Sequence, residues 1–174
     1  MSILGGGDYW AYNHLPKCGG TSVEKAIMEA GWASDFNIKG HHIHTCAFMF
    51  TFVRNPVDWW KSLWGYNIDE GTSWEGIPRP DTDSEAWIEK TIREKGALCS
   101  KAFIEYTTGC SFIGTVENLQ ADLDIVAAKL DLPRAVVGNF NASKTSQDNV
   151  LTAKTIVLIE EVEEEAFAIW RKAS

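Results

Sequence analysis

The chain has 174 residues, the usual size of one folded domain, and it is 45% hydrophobic and 23% charged, as is typical of globular proteins. Its formal net charge of −8 argues against non-specific binding to DNA or RNA, which needs a broad basic surface. A polyanionic ligand must therefore be held by a local cluster of positive groups.

No apolar run approaches the ~18 residues of a membrane-spanning helix, and residues 1–7 lack the apolar region of a signal peptide. We therefore expect a soluble, cytoplasmic protein with no membrane partner. The chain contains no Cys-x-x-Cys pair, so its cysteines predict reduced thiols rather than a zinc site or a disulfide framework. They are Cys18, Cys46, Cys99 and Cys110.

The first predicted unit is a strand, a glycine loop and a helix. Residues 8–13 form a short aromatic run that predicts the strand. Apolar residues at helical spacing predict a helix from about 21 to 30. Thr21 and Glu24 have the spacing of a capping box, which predicts where this helix begins.

The second unit begins with a continuous apolar run at 47–53, typical of a strand buried on both faces. Pro56 suits the first turn of the next helix, which we expect to end near Trp64. Strands alternating with helices predict one α/β domain over 1–174, with a parallel sheet flanked by helices. The remaining predictions are a loop at 66–83, helices at 85–95 and 101–107, a strand at 112–116, a helix at 118–130, a loop at 138–148 and a helix at 151–171.

The loop at 16–22 predicts an anion site. Backbone N–H groups at a helix N-terminus and the helix dipole favour an anion, and the two glycines let a bulky oxyanion approach the backbone. A lysine adds positive charge and two hydroxyls add hydrogen-bond donors. Taken alone, the loop is interpreted equally well as a tight turn that precedes a capped helix. The candidate binding residues are Lys17, Cys18, Gly19, Gly20, Thr21 and Ser22.

A second motif at 50–62 places Arg54 at the end of the buried strand and Ser62 two turns into the following helix. Together with the loop at 16–22, it resembles the sulfotransferase family that uses 3′-phosphoadenosine-5′-phosphosulfate. The chain is most similar to the carbohydrate-type branch, whose loop commonly follows His-x-Pro, as at 14–16 here. Segments 112–122 and 139–143 also resemble family motifs, so the resemblance extends in order over most of the chain.

This resemblance implies a P-loop NTPase-like three-layer fold and a sulfuryl transfer to a hydroxyl acceptor, either a carbohydrate or a small alcohol. The loop would hold the 5′-phosphosulfate, and Lys17 would also act in catalysis. Arg54 and Ser62 would hold the 3′-phosphate. The product would be adenosine 3′,5′-bisphosphate, no metal would be required, and the acceptor would include glycans.

Two departures from the family pattern leave an alternative open. Trp59 stands where the family has a second arginine, and Trp64 stands where it commonly has a tyrosine. Lys61 is a candidate to replace the lost charge. The alternative function is a catalytically inactive module that binds the bisphosphate nucleotide. A nucleotide kinase is disfavoured because the lysine precedes the glycines, whereas GxxxxGK[ST] loops place it after them.

The general base is predicted in the histidine-rich segment at 39–44. An alcohol acceptor must lose a proton, and some carbohydrate sulfotransferases that this chain resembles place a base in a Gly-His pair upstream of the second motif. His41 fits that pattern, with His42, His44 and Asp35 as the other candidates. The acidic run at 160–165 is interpreted as the solvent-facing side of the last helix rather than a metal site.

Overall fold

The computed structural model describes residues 2–5, 10–32, 47–71, 76–80, 82–138 and 149–174. At its centre lies a four-stranded sheet in the order β1-β2-β3-β4. Strands β2, β3 and β4 are parallel, and β1 pairs antiparallel with β2 at one edge. The strands are β1 (Ser2–Gly5), β2 (Trp10–Asn13), β3 (Phe48–Val53) and β4 (Phe112–Thr115).

Helices cover both faces of this sheet, because successive side chains of a strand point to opposite sides. Phe52 of β3 belongs to a core with α1 and α5, whereas Val53 belongs to a second core with the other five helices. The helices are α1 (Gly20–Glu29), α2 (Pro56–Glu70), α3 (Ser84–Lys95), α4 (Leu98–Thr107), α5 (Leu119–Leu130), α6 (Ala153–Val162) and α7 (Glu164–Ala173).

The predicted α/β class and the parallel sheet flanked by helices are confirmed, and the P-loop NTPase-like fold stays a prediction. One edge of the sheet is not parallel, because β1 pairs antiparallel with β2. This strand was not predicted. Its four residues precede a run of glycines and carry no strand periodicity, so the strand depends on pairing with β2 rather than on local preference.

Helix α2 is longer than predicted. Pro56 lies at its first turn and the Asn55 side chain accepts a hydrogen bond from Val57 N at 2.9 Å, as suits a helix start. The helix passes Trp64 and ends only at Gly71, which takes the left-handed conformation (φ 60°). The predicted start of the loop at residue 66 was therefore wrong. Of the last six residues of α2, 66–70 were assigned to the loop and 65 to no element.

The prediction of one closing helix with a wholly solvent-facing acidic run was also wrong. Two helices, α6 and α7, meet at Glu163, whose side chain is fully buried. Its carboxylate accepts hydrogen bonds from Cys99 N (3.0 Å), Ser100 N (2.7 Å) and Trp60 Nε1 (3.2 Å). Glu163 therefore caps α4, whose own N-cap residue offers no side-chain cap.

Helix α4 caps α7 in return. Ser100 Oγ, in the first turn of α4, accepts a hydrogen bond from Ala166 N in the first turn of α7 at 3.1 Å. Each of these two helix N-termini thus receives its hydrogen-bond acceptor from the other helix or its cap. The arrangement ties the chain end at 163–174 to the second core.

Candidate functional site

Two sequence motifs meet at the carboxyl edge of the sheet. Strands β2 and β3 are parallel neighbours, with Tyr12 paired to Phe50, so the segments that follow them leave the sheet on the same side. The loop that begins α1 follows β2, and Arg54 follows β3. Arg54 Nη1 lies 3.5 Å from the carbonyl oxygen of Lys17. The structure therefore brings together the two positive residues that the sequence predicts for an anion site.

The loop backbone has two left-handed residues. Lys17 has φ 66° and Gly19 has φ 73°. This conformation is uncommon in a residue other than glycine and costs on the order of 1 kcal/mol or more. An alternation of left- and right-handed residues is typical of the concave backbone nests that bind anions. Helix α1 begins directly after the loop, and no side chain caps it.

The predicted capping box of α1 is wrong. Gly19, not a side chain of Thr21, stands at the N-cap, and Thr21 lies exposed in the first turn. The Glu24 carboxylate instead pairs with His14, with 2.7 Å between Oε1 and Nδ1. Thr21 thus remains available for the anion-binding role that the sequence predicts. Ser22, the next candidate, is buried.

Gly20 is required by the packing of His14. A Cβ atom built on Gly20 would overlap the imidazole of His14. That ring also stacks on Tyr12, with centroids 6.1 Å apart and an interplanar angle of 19°. His14 therefore packs between Tyr12 and the first residue of α1. The close approach of a ligand is not needed to explain this glycine.

Gly20→Ala should lower the free energy of unfolding by about 1–3 kcal/mol, because the new methyl group overpacks against His14. The matched control is the same change without the ring, given by the difference between His14→Ala and the double variant His14→Ala/Gly20→Ala, in which the methyl group has room. Urea unfolding followed by circular dichroism measures both. If Gly20→Ala costs as much in the absence of the ring as in its presence, the steric explanation is incorrect.

Cys18 is one of the predicted binding residues of the loop. Its side chain is fully buried, and burial raises the pKa of the thiol far above its ordinary value. Its backbone N–H donates to the Leu15 carbonyl oxygen at 3.3 Å. Neither the thiol nor the backbone N–H is therefore open to an anion in this structure, and the binding role of Cys18 stays a prediction.

Trp59 holds the loop from the side of α2. Its ring is fully buried, and Nε1 donates to the carbonyl oxygen of Pro16 at 2.9 Å. The residue that replaces the second arginine of the family pattern is thus a structural support of the loop. Lys61 is not a free substitute for the positive charge of the missing arginine, because its Nζ pairs with Asp58 Oδ1 at 3.3 Å. Ser62 lies half-buried on α2.

The ammonium of Lys17 lies over the ring of Tyr66, with Nζ 3.8 Å from the ring centroid. Burial, and after it the nearby Arg54 charge, lowers the pKa of Lys17 from its ordinary value to about 8. The Glu70 and Asp69 carboxylates act in the opposite direction with smaller effect. The ammonium is therefore the main form at neutral pH and is lost as the pH rises through about 8.

The segment at 112–122 supports the site from beneath. Glu117 Oε1 accepts a hydrogen bond from Asn55 N at 2.8 Å, directly after Arg54. Asp122 Oδ2 accepts from Thr115 N at 2.7 Å, which fixes the turn between β4 and α5. A Cβ atom on Gly114 would lie 2.7 Å from the Phe52 ring. The glycine and the two carboxylates of this segment therefore have structural roles, because their contacts position the ends of β3 and β4.

Several predicted site residues lie outside the described part of the chain. They are His41, His42, His44, Asp35 and the segment 139–143. Within the described ranges, no three His, Cys, Asp or Glu side chains are grouped so as to hold a metal ion. Among the same residues, no helix is long and apolar enough to cross a membrane.

Tyr66 is the site residue that the sequence did not predict. It lies one helical turn beyond Ser62, so continuing the periodicity of α2 past Trp64 would have placed it on the face of the second motif.

Comparisons of the chain with protein-family models, with curated proteins and with solved structures found no match.

Proposed function

We propose that the protein is a sulfotransferase, with a P-loop NTPase-like fold, that moves a sulfuryl group from 3′-phosphoadenosine-5′-phosphosulfate to a hydroxyl acceptor. The observation that carries this proposal is the meeting of two motifs at one sheet edge, where Arg54 Nη1 lies 3.5 Å from the Lys17 carbonyl oxygen. An anion with two separated phosphate groups suits two positive residues held on neighbouring strands.

In this proposal the 5′-phosphosulfate lies at the N-terminus of α1, where the backbone N–H groups and the hydroxyl of Thr21 face it. Lys17 contacts the oxygen that bridges phosphorus and sulfur. Arg54 and Ser62 bind the 3′-phosphate. This division of labour gives each end of the donor its own positive charge.

The proposed reaction is an in-line displacement at sulfur. The acceptor oxygen forms a bond to sulfur as the bond from sulfur to the bridging oxygen breaks, and the electron pair leaves on adenosine 3′,5′-bisphosphate. Negative charge develops on that bridging oxygen, where the Lys17 ammonium stabilises it. His41 takes the acceptor proton, with Asp35 as the next candidate base. The acceptor is a carbohydrate or a small alcohol.

A second candidate function is a module that binds the bisphosphate nucleotide without catalysis. The observation in its favour is the buried Trp59, whose indole serves the loop and supplies no positive charge to a phosphate. Sulfate transfer to a hydroxyl acceptor, followed with radiolabelled donor across a panel of sugars and alcohols, separates the two functions.

The donor specificity gives the first functional test. Arg54→Ala should weaken binding of adenosine 3′,5′-bisphosphate by roughly 10- to 100-fold, as expected for one lost charge-assisted contact, and leave AMP binding nearly unchanged. Isothermal titration measures both affinities. Lys61→Ala is the matched control, because that lysine is on α2 but paired with Asp58. Equal affinity of the unaltered protein for AMP and the bisphosphate would contradict the proposal.

A further inference from the structure

Tyr66 holds a position that neither sequence motif explains. It is a half-exposed residue in the last part of α2, with 38% of its surface accessible, and the Lys17 ammonium covers one face of its ring. A tyrosine on a helix surface needs no such partner. The separation of 3.8 Å between Nζ and the ring centroid is well within the range of a cation–π contact.

The surroundings make this contact important to the lysine. Burial and the Arg54 guanidinium both disfavour a second positive charge at this place. The groups that favour it are the Glu70 and Asp69 carboxylates on α2. The ring presents its electron-rich face to the ammonium at 3.8 Å, and it restricts where the flexible lysine side chain lies.

We propose that Tyr66 is a positioning residue for Lys17: its ring keeps the ammonium charged and holds it beside the anion-binding loop. The effect on turnover rests on the proposed function, whereas the effect on the lysine itself does not. The ring, rather than the hydroxyl group, supplies the interaction. Phenylalanine should therefore replace tyrosine, and leucine should not.

The first experiment measures protonation of Lys17 directly in the full chain. Competitive labelling of amines with acetic anhydride across a pH series, read by peptide mass spectrometry, gives the midpoint for Lys17. We expect Tyr66→Phe to match the unaltered protein. Tyr66→Leu keeps an apolar cover but loses the ring, and should raise the acid dissociation constant of the Lys17 ammonium by roughly two- to thirtyfold, so that the labelling midpoint falls.

The direction of this shift is the sharpest part of the test. If the ring acted only by excluding water, its loss would hydrate the ammonium and the midpoint would rise or stay in place. Either result for Tyr66→Leu overturns the proposal, and so does a Tyr66→Phe variant that behaves like Tyr66→Leu. Circular dichroism and thermal unfolding verify that both variants fold, as expected for a half-exposed position.

The second experiment concerns turnover. With a hydroxyl acceptor, Tyr66→Leu should lower kcat by a similar two- to thirtyfold with a smaller change in donor affinity, and Tyr66→Phe should restore it. If the unaltered protein transfers sulfate to no acceptor, the proposed function fails, and the labelling midpoints still decide whether the ring controls Lys17. If Tyr66→Leu shifts the labelling midpoint of Lys17 as expected but leaves kcat unchanged, the positioning role of Tyr66 in catalysis is overturned.

Discussion

Replacing Lys17 by alanine should lower the rate of sulfuryl transfer by about 10²–10³-fold while the affinity for adenosine 3′,5′-bisphosphate falls much less. The reason is that, in the proposed reaction, the charge which the ammonium meets on the bridging oxygen develops only in the transition state. The lysine is partly buried between the loop and the Tyr66 ring, so water screens its charge less than it would at the open surface.

The left-handed backbone of Lys17 calls for a second variant. Alanine carries the same Cβ strain at φ 66° as lysine but loses the side-chain contacts that hold it there, whereas glycine adopts that conformation at no steric cost. Lys17→Gly and Lys17→Ala should therefore lose turnover equally if the ammonium is what matters. A glycine variant that keeps its turnover would trace the alanine defect to the loop backbone instead. Normal turnover with only weaker donor binding in both would make Lys17 a binding residue.

The same lysine predicts the alkaline side of the pH profile. Burial and Arg54 lower its pKa to about 8, so the charged form that stabilises the leaving oxygen disappears as the pH rises through that value. Turnover of the unaltered protein should fall over the same range. Steady-state rates between pH 6 and 10 measure this fall in turnover, which should be on the order of tenfold and follow the titration of one group. The limb should be absent from the residual activity of Lys17→Ala.

The largest loss of stability is expected for Glu163→Ala, about 3 kcal/mol or more in the free energy of unfolding. The carboxylate accepts hydrogen bonds from the backbone N–H groups of Cys99 and Ser100 and from the Trp60 indole, all inside the core. Alanine leaves these donors without an acceptor where water does not reach. A loss of this size is a substantial part of the 5–15 kcal/mol typical of a whole domain.

Two further variants make this test specific. Glu163→Gln keeps one acceptor oxygen and should lose roughly half as much. Glu161→Ala removes an exposed carboxylate two residues away and should change stability by less than about 0.5 kcal/mol. Urea unfolding followed by tryptophan fluorescence and circular dichroism measures all three. Equal losses at positions 161 and 163 would show that the buried capping contact contributes nothing particular.

The parts of the fold that depend on local pattern were predictable from the sequence. The apolar run that became β3 and the proline that begins α2 both act through their own few residues. The meeting of Lys17 and Arg54 was also predictable, because carboxyl ends of neighbouring parallel strands lie at one edge. These features need no knowledge of distant side chains.

The remaining features depend on partners that are remote in sequence. One glutamate of the run 160–165 is buried because α4, more than sixty residues earlier, begins without a cap, and nothing in the run distinguishes that glutamate from its neighbours. Glu24 fits a capping box by spacing, but His14 takes its carboxylate. The periodicity of α2 would have placed Tyr66 on the face of the second motif, but its contact with Lys17 and the contact of Trp59 with Pro16 are not contained in that spacing.

The hydrogen bond from Trp59 to the Pro16 carbonyl has a consequence for how the site responds to salt. Dissolved ions screen the Lys17 and Arg54 charges, so added salt should weaken the attraction of the loop for an anion. The indole that supports the loop is neutral and buried, so this particular support does not weaken as the ionic strength rises. The attraction that the proposed site exerts on an anion should therefore depend on the electrolyte, whereas the contact of Trp59 that supports the loop should not.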